Sequence, residues 1–120
     1  MIKLTLLSDD GGLVRVAAEG QISQTRLAGE GNPLEGLLGA TCFSRKVLLN
    51  LERTDYIDSS GISWLIVNHK HFQQGGGMMV LYSLPPRVSQ VLEFCRMNTV
   101  LRMAADEPAA RALALGEARK

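Results

Sequence analysis

Two short runs, Lys46-Val47-Leu48-Leu49-Asn50-Leu51 and Met78-Met79-Val80-Leu81-Tyr82, offer no wet face. A strand with one side in water alternates apolar and polar residues; a strand that does not alternate must be covered above and below. The first run is therefore expected to be a central strand and the second a short buried one. Between them Ile62, Leu65, Ile66, His69 and Phe72 recur at helical spacing along one face. That helix opens at Asp58-Ser59-Ser60-Gly61, runs to about Gln74 and is stopped by Gly75-Gly76-Gly77. A buried strand, a helix and a second buried strand point to parallel strands joined by a helical crossover.

The flanking segments extend this frame. Ile2 to Leu7 and Leu13 to Ala18 read as strands around the turn residues Asp9-Asp10-Gly11-Gly12, which predicts an N-terminal antiparallel hairpin. From Gly20 to Gly31 the pattern is weak, with three glycines as breakers. Asn32-Pro33-Leu34-Glu35 has the signature of a helix start, and that short helix is expected to end near Gly39. Glu52 to Ile57 reads as a loop. Pro85-Pro86 starts another helix, with Val88, Val91, Leu92 and Cys95 on its inner face. Val100 to Met103 reads as a last short strand, and an Ala- and Leu-rich helix follows Asp106-Glu107-Pro108. The expected order is β-β-α-β-α-β-α-β-α within a single domain spanning 1–120, an α/β fold with a mostly parallel sheet.

Composition narrows the function. Hydrophobic residues make up 46% and charged residues 21%, which is globular rather than disordered. The net charge is +1, with Lys and Arg scattered singly, which argues against nucleic acid or an anionic membrane as a partner. The apolar run Trp64-Leu65-Ile66-Val67 is far too short to span a bilayer, so no membrane insertion is expected. Met1 to Leu7 is too short for a secretory leader, and the cytoplasm is the expected compartment. Cys42 and Cys95 lack zinc-ligand spacing and read as two buried thiols of a reducing compartment.

Enzyme templates fail. The chain has no GxxxxGK[ST] loop, no GxGxxG after a strand and no GxSxG elbow. Gly75-Gly76-Gly77 follows a helix, the wrong order for a phosphate cradle. His69 and His71 share no HExxH and read as ordinary helix residues. Neither a metal nor a cofactor is expected, and no catalysis. The constellation that remains is Tyr56-Ile57-Asp58-Ser59-Ser60-Gly61-Ile62, which brings two hydroxyls to a helix start. Ser59 is placed to cap the helix, its oxygen accepting a first-turn N–H. The same place accommodates an anion, since N–H groups and the helix dipole point at it. Spacing alone does not choose between cap and phosphosite. Trp64 likewise has two readings: a second packing face of the helix, or an exposed anchor for a partner.

The stretch from Val47 to about Leu101 resembles the STAS domain, and more closely the bacterial anti-sigma factor antagonists. The residues that carry the likeness are Val47-Leu48-Leu49-Asn50-Leu51, Tyr56 through Ile62, Gly76-Gly77-Met78-Met79-Val80-Leu81, and Val88 through Leu92. The resemblance implies a mixed four- or five-stranded sheet with an N-terminal antiparallel hairpin and about four helices packed mainly on one side. It also implies a non-enzymatic switch. By that resemblance, the serine after the aspartate, Ser59 here, would be the phosphoacceptor of an anti-sigma factor that is itself a serine kinase, and a serine phosphatase would restore the free form. Only the unphosphorylated form binds the anti-sigma factor. Asp58 would shape the loop and its electrostatics, Ser60 and Gly61 would start the helix, and Ile62, Trp64 and Val67 would extend the docking surface. Ser23 stands where the family usually carries an acidic residue, and Arg96 where it often has glycine, with Asn98 a candidate to take over the left-handed turn. Alternatives within this frame are a scaffold or transport-accessory subunit without phosphorylation, and a small-molecule-sensing domain.

Overall fold

The computed structural model describes residues 3–9, 13–22, 37–39 and 41–115. Five strands form one sheet in the order β1-β2-β3-β4-β5: β1 Lys3–Asp9, β2 Leu13–Ile22, β3 Lys46–Ile57, β4 Met78–Tyr82 and β5 Arg102–Ala104. The described residues contain three α-helices: α1 Ser59–Gly75, α2 Pro86–Phe94 and α3 Glu107–Leu115. β1 and β2 pair antiparallel, as the turn residues between them predict, and every later pairing is parallel. This is the expected mixed α/β fold, with three helices against about four. The helix expected from Asn32 lies mostly outside the described residues; Leu37 and Leu38 are helical, and Gly39 turns with φ +93°.

The strands that do not alternate in the sequence are covered on both faces. Val47, Leu49 and Leu51 of β3 point with Val14, Val16, Met79 and Leu81 into a core closed by α1 and α2. Leu48, between them, points the other way, with Leu13, Val80 and Tyr82 against α3. The crossovers β3-α1-β4 and β4-α2-β5 both move one strand along in the same direction. Right-handed connections therefore put both helices on one face. α3 reaches the opposite face and meets the sheet through Ala110 and Ala114, one turn apart, whose small side chains permit close approach. Arg15 on that face donates to Glu107 at 2.8 Å, and Glu107 also holds Arg111 at 3.1 Å.

α1 ends as the glycines predict. Gly76 takes φ +85°, its N–H donating to the carbonyl of Gln73, while the N–H of Gly77 donates to that of Phe72 at 2.9 Å. A side chain on Gly77 would meet the Arg45 carbonyl oxygen at 2.3 Å, so the chain enters β4 only because that atom is absent.

Four local expectations change. Glu52 to Ile57 is strand rather than loop, because β2 continues alongside it: Glu19 pairs with Arg53, Gly20 with Thr54 and Ile22 with Ile57. The last strand lies later than Val100, since a 3-10 turn at Met97–Thr99 precedes Arg102–Ala104. Cys42 is buried but Cys95 is exposed, and no disulfide joins them. α2 closes one residue before Cys95, so this thiol never joins the inner face held by Val88 and Leu92. The left-handed residue after α2 is Arg96 itself, φ +61°, not Asn98. Its N–H donates to the Glu93 carbonyl at 2.9 Å, which fixes the turn at that position despite the side chain.

His71 is exposed and lies against the Phe43 ring, with centroids 5.0 Å apart. His69 is buried, and burial first, then the nearby Arg102 guanidinium, push its pKa below the usual histidine value of 6.5.

Arg96→Gly should stabilise the fold by roughly 0.5–1 kcal/mol in urea unfolding, because glycine takes the left-handed conformation without strain. The lowered His69 pKa means the unfolded chain binds this proton more readily than the folded one. Its contribution is complete above the unfolded value of 6.5 and is lost as the pH falls below it toward the folded value. Urea midpoints of His69→Gln should therefore fall less steeply than wild type on acidification from neutral pH.

Candidate functional site: the start of helix α1

β3 delivers the chain to one end of the sheet at Ile57, which is buried beside Ile22 of β2. Asp58 is still extended, φ −120° and ψ −176°, and α1 begins at Ser59. The Asp58 carboxylate closes the turn. Its Oδ1 accepts the Gly61 N–H at 2.9 Å and the Ser60 hydroxyl at 2.6 Å. The Asp58 carbonyl also accepts the Ile62 N–H at 2.9 Å.

Asp58, not Ser59, is thus the helix cap. An ionised carboxylate one residue earlier is the stronger acceptor for first-turn N–H groups and is favoured by the helix dipole. Ser59 is left at the first helical position, exposed to solvent, and its hydroxyl makes no hydrogen bond with any described residue. Ser60 is half-buried and spends its proton on Asp58. The two adjacent serines are therefore chemically distinct.

Gly61 explains why the helix can start so close to the sheet. A Cβ there would lie 2.0 Å from the Ile22 carbonyl oxygen, so the first turn of α1 rests directly on the end of β2. Ser23, the next residue, lies outside the described residues, and its expected contact role is not placed by the structure.

Other expected members separate. Ile62 is 8% exposed and Trp64 5% exposed. Both join the core under α1, which corrects their expected place on a docking surface. Trp64 is the packing-face residue; its carbonyl accepts the buried Asn68 amide at 2.8 Å. Val67 is 44% exposed and remains on the surface. Tyr56 of the Tyr56–Ile62 segment, 46% exposed, joins it there, as does Ser63, one turn beyond Ser59, which the sequence did not single out. Helical spacing could have found Ser63, since Ser59, Ser63 and Val67 sit four apart. Along this stripe no charged side chain appears before Lys70, whereas the outer face of a surface helix is ordinarily charged. Among the described residues no group of three His, Cys, Asp or Glu side chains could hold a metal ion, and no helix is long and apolar enough to cross a membrane.

The packing at Gly61 gives a test. Gly61→Ala should cost about 2–3 kcal/mol in urea unfolding, as overpacking against backbone does. The exposed neighbour Ser63→Ala should change stability by less than about 0.5 kcal/mol.

Comparison with known proteins places this arrangement. The sequence pattern of the STAS domain matches residues 12–110. BtrV of Bordetella bronchiseptica, assigned as an anti-sigma factor antagonist, is 31% identical over 113 residues, covering 92% of this chain and 93% of BtrV. Among solved structures, an anti-sigma factor antagonist of Thermotoga maritima superposes with a TM-score of 0.79 at 14% identity, covering 93% of this chain and 94% of that one. The anti-sigma factor antagonist SpoIIAA in its unphosphorylated form gives 0.65 at 18% identity, covering 95% and 97%. SpoIIAA of Bacillus in its phosphorylated form gives 0.59 at 17%, covering 92% and 99%. The two solved proteins share the fold; the sequence matches go further, and the chain belongs to the STAS domain family, among the anti-sigma factor antagonists.

Proposed function

We propose that this chain is a non-enzymatic, phosphorylation-controlled interaction switch of the cytoplasm, with Ser59 as its phosphoacceptor. The partner is an anti-sigma factor with serine kinase activity, bound when Ser59 is unmodified, and a serine phosphatase resets the cycle. The observation that carries this reading is the contrast between the two serines. Ser59 is exposed and its hydroxyl is unengaged among the described residues, while Ser60 is half-buried and bonded to Asp58. Of the two adjacent serines, Ser59 is the one whose oxygen a kinase could reach without breaking the cap.

The charge arithmetic supports the same reading. A phosphate adds about −1.5 to −2 charges at pH 7. It would sit next to the Asp58 carboxylate, at the head of a stripe that otherwise carries no charge before Lys70. A partner packed closely on Tyr56, Ser63 and Val67 would have to desolvate that dianion, a large penalty for a local change. The fold need not move, because Ser59 bears on nothing in the core. SpoIIAA, which shares this fold, has been solved both unphosphorylated and phosphorylated. Ser23 follows in sequence directly after Ile22, whose carbonyl Gly61 approaches, and is proposed as a further partner-binding residue.

The test uses the anti-sigma factor kinase from the same genome. With ATP, mass spectrometry should map a single phosphate to Ser59, and Ser59→Ala should remove it. Ser59→Asp should weaken binding to that kinase by tenfold or more, while Ser59→Ala keeps it within about threefold. Equal effects of the two substitutions, with no phosphate at Ser59, would mark the chain as an unphosphorylated scaffold instead.

A further inference from the structure

A cleft of about 510 Å³ opens between the last part of β3, which leads into the Asp58 turn, and the start of α2. Glu52 and Asp55 stand on one wall; Pro85, Pro86, Arg87 and Gln90 form the other. Glu52, Asp55 and Arg87 are all exposed, and none of them is in an ion pair with a described residue. Both walls are set by backbone structure: β3 is held by its pairing of Arg53 with Glu19 and Tyr56 with Gln21, and α2 begins at a proline pair whose φ angles are locked. The three charges sum to −1 in a chain whose net charge is +1, so the cleft reverses the sign of the whole.

We propose that this cleft is a second docking point for the partner that engages Ser59, and that it receives an arginine-bearing segment of that partner. The proposal rests on the partner reading above. An arginine suits the walls: its stem can lie along the proline rings while its planar head meets the two carboxylates. The cleft is within reach of the same partner, since Asp55 precedes Ser59 by four residues and four residues span at most about 14 Å. The carboxylates would add specificity and encounter rate to contacts made around Ser59.

The proposal is tested by two-dimensional NMR of the full ¹⁵N-labelled chain at low salt. It is titrated with acetyl-Gly-Arg-Gly-amide and, in parallel, with acetyl-Gly-Glu-Gly-amide. The arginine peptide should shift the amides of Glu52, Asp55, Arg87 and Gln90 in a saturating way, and the glutamate peptide should not. Glu52→Gln combined with Asp55→Asn should weaken the arginine peptide about three- to tenfold, and its folded spectrum shows that the fold survives. No shifts at the cleft, equal shifts with both peptides, or affinity unchanged in the double variant would each overturn the proposal. Its fate is separable from that of the switch. If Ser59 is phosphorylated but the peptide does not bind, the cleft assignment alone fails. If the peptide binds but no kinase modifies Ser59, the cleft stands and the phosphorylation reading falls.

Discussion

β2 and β3 lie side by side from the pair Leu13 and Lys46 to the pair Ile22 and Ile57, and most of what distinguishes this molecule hangs on that ladder. It joins the N-terminal hairpin to the parallel part of the sheet. It turns Glu52 to Ile57 into strand, which no local pattern in those residues demands. At its far end it sets Ile22 and Ile57 next to each other, so that α1 must begin against the end of β2. The close approach at Gly61 is the consequence: a helix whose first turn rests on a backbone carbonyl needs a residue without a side chain there. Two register shifts, at Ala17/Glu19 and Gly20/Gln21, let the long strands stay together as they twist.

Asp58 resolves a competition that the segment Asp-Ser-Ser leaves open. Three side chains in a row can cap a helix, and only one can occupy the place. The carboxylate takes it, and in doing so it recruits the Ser60 hydroxyl as a second donor. What remains is a serine at the first helical position whose hydroxyl no described residue engages. The property that suits Ser59 to modification is therefore produced by its neighbours. A cap supplied by Ser59 would have hidden the same oxygen.

The surface around this serine is also a product of burial elsewhere. Ile62, Leu65 and Trp64 are drawn into the core, which leaves small or uncharged residues facing outward along α1 up to Lys70. Beside this quiet stripe, the cleft at the end of β3 carries Glu52, Asp55 and Arg87 along its walls. A smooth stripe favours close packing, and a charged cleft favours selection. The two adjoin through the few residues from Asp55 to Ser59.

Periodicity determined much of the architecture by itself. Runs without alternation identified β3 and β4 as doubly covered, helical spacing identified α1 and α2, and the turn glycines identified the hairpin and the end of α1. These signals are local, and the physics behind them is local: pleat, helical pitch and left-handed turns. The Asp-Ser-Ser-Gly segment was legible as a helix start for the same reason. Contacts between residues distant in sequence decided the rest. That Glu52 to Ile57 is strand depends on β2, and that Gly61 cannot carry a side chain depends on Ile22. Trp64 is core because the sheet lies under its face of α1, although helical spacing fitted an exposed anchor equally well. Arg96 takes the left-handed turn because the Glu93 carbonyl receives its N–H, against the preference of its own side chain. The sequence named the serines; only the folded packing, by spending Asp58 and Ser60 on the cap, decided that Ser59 is the one left open.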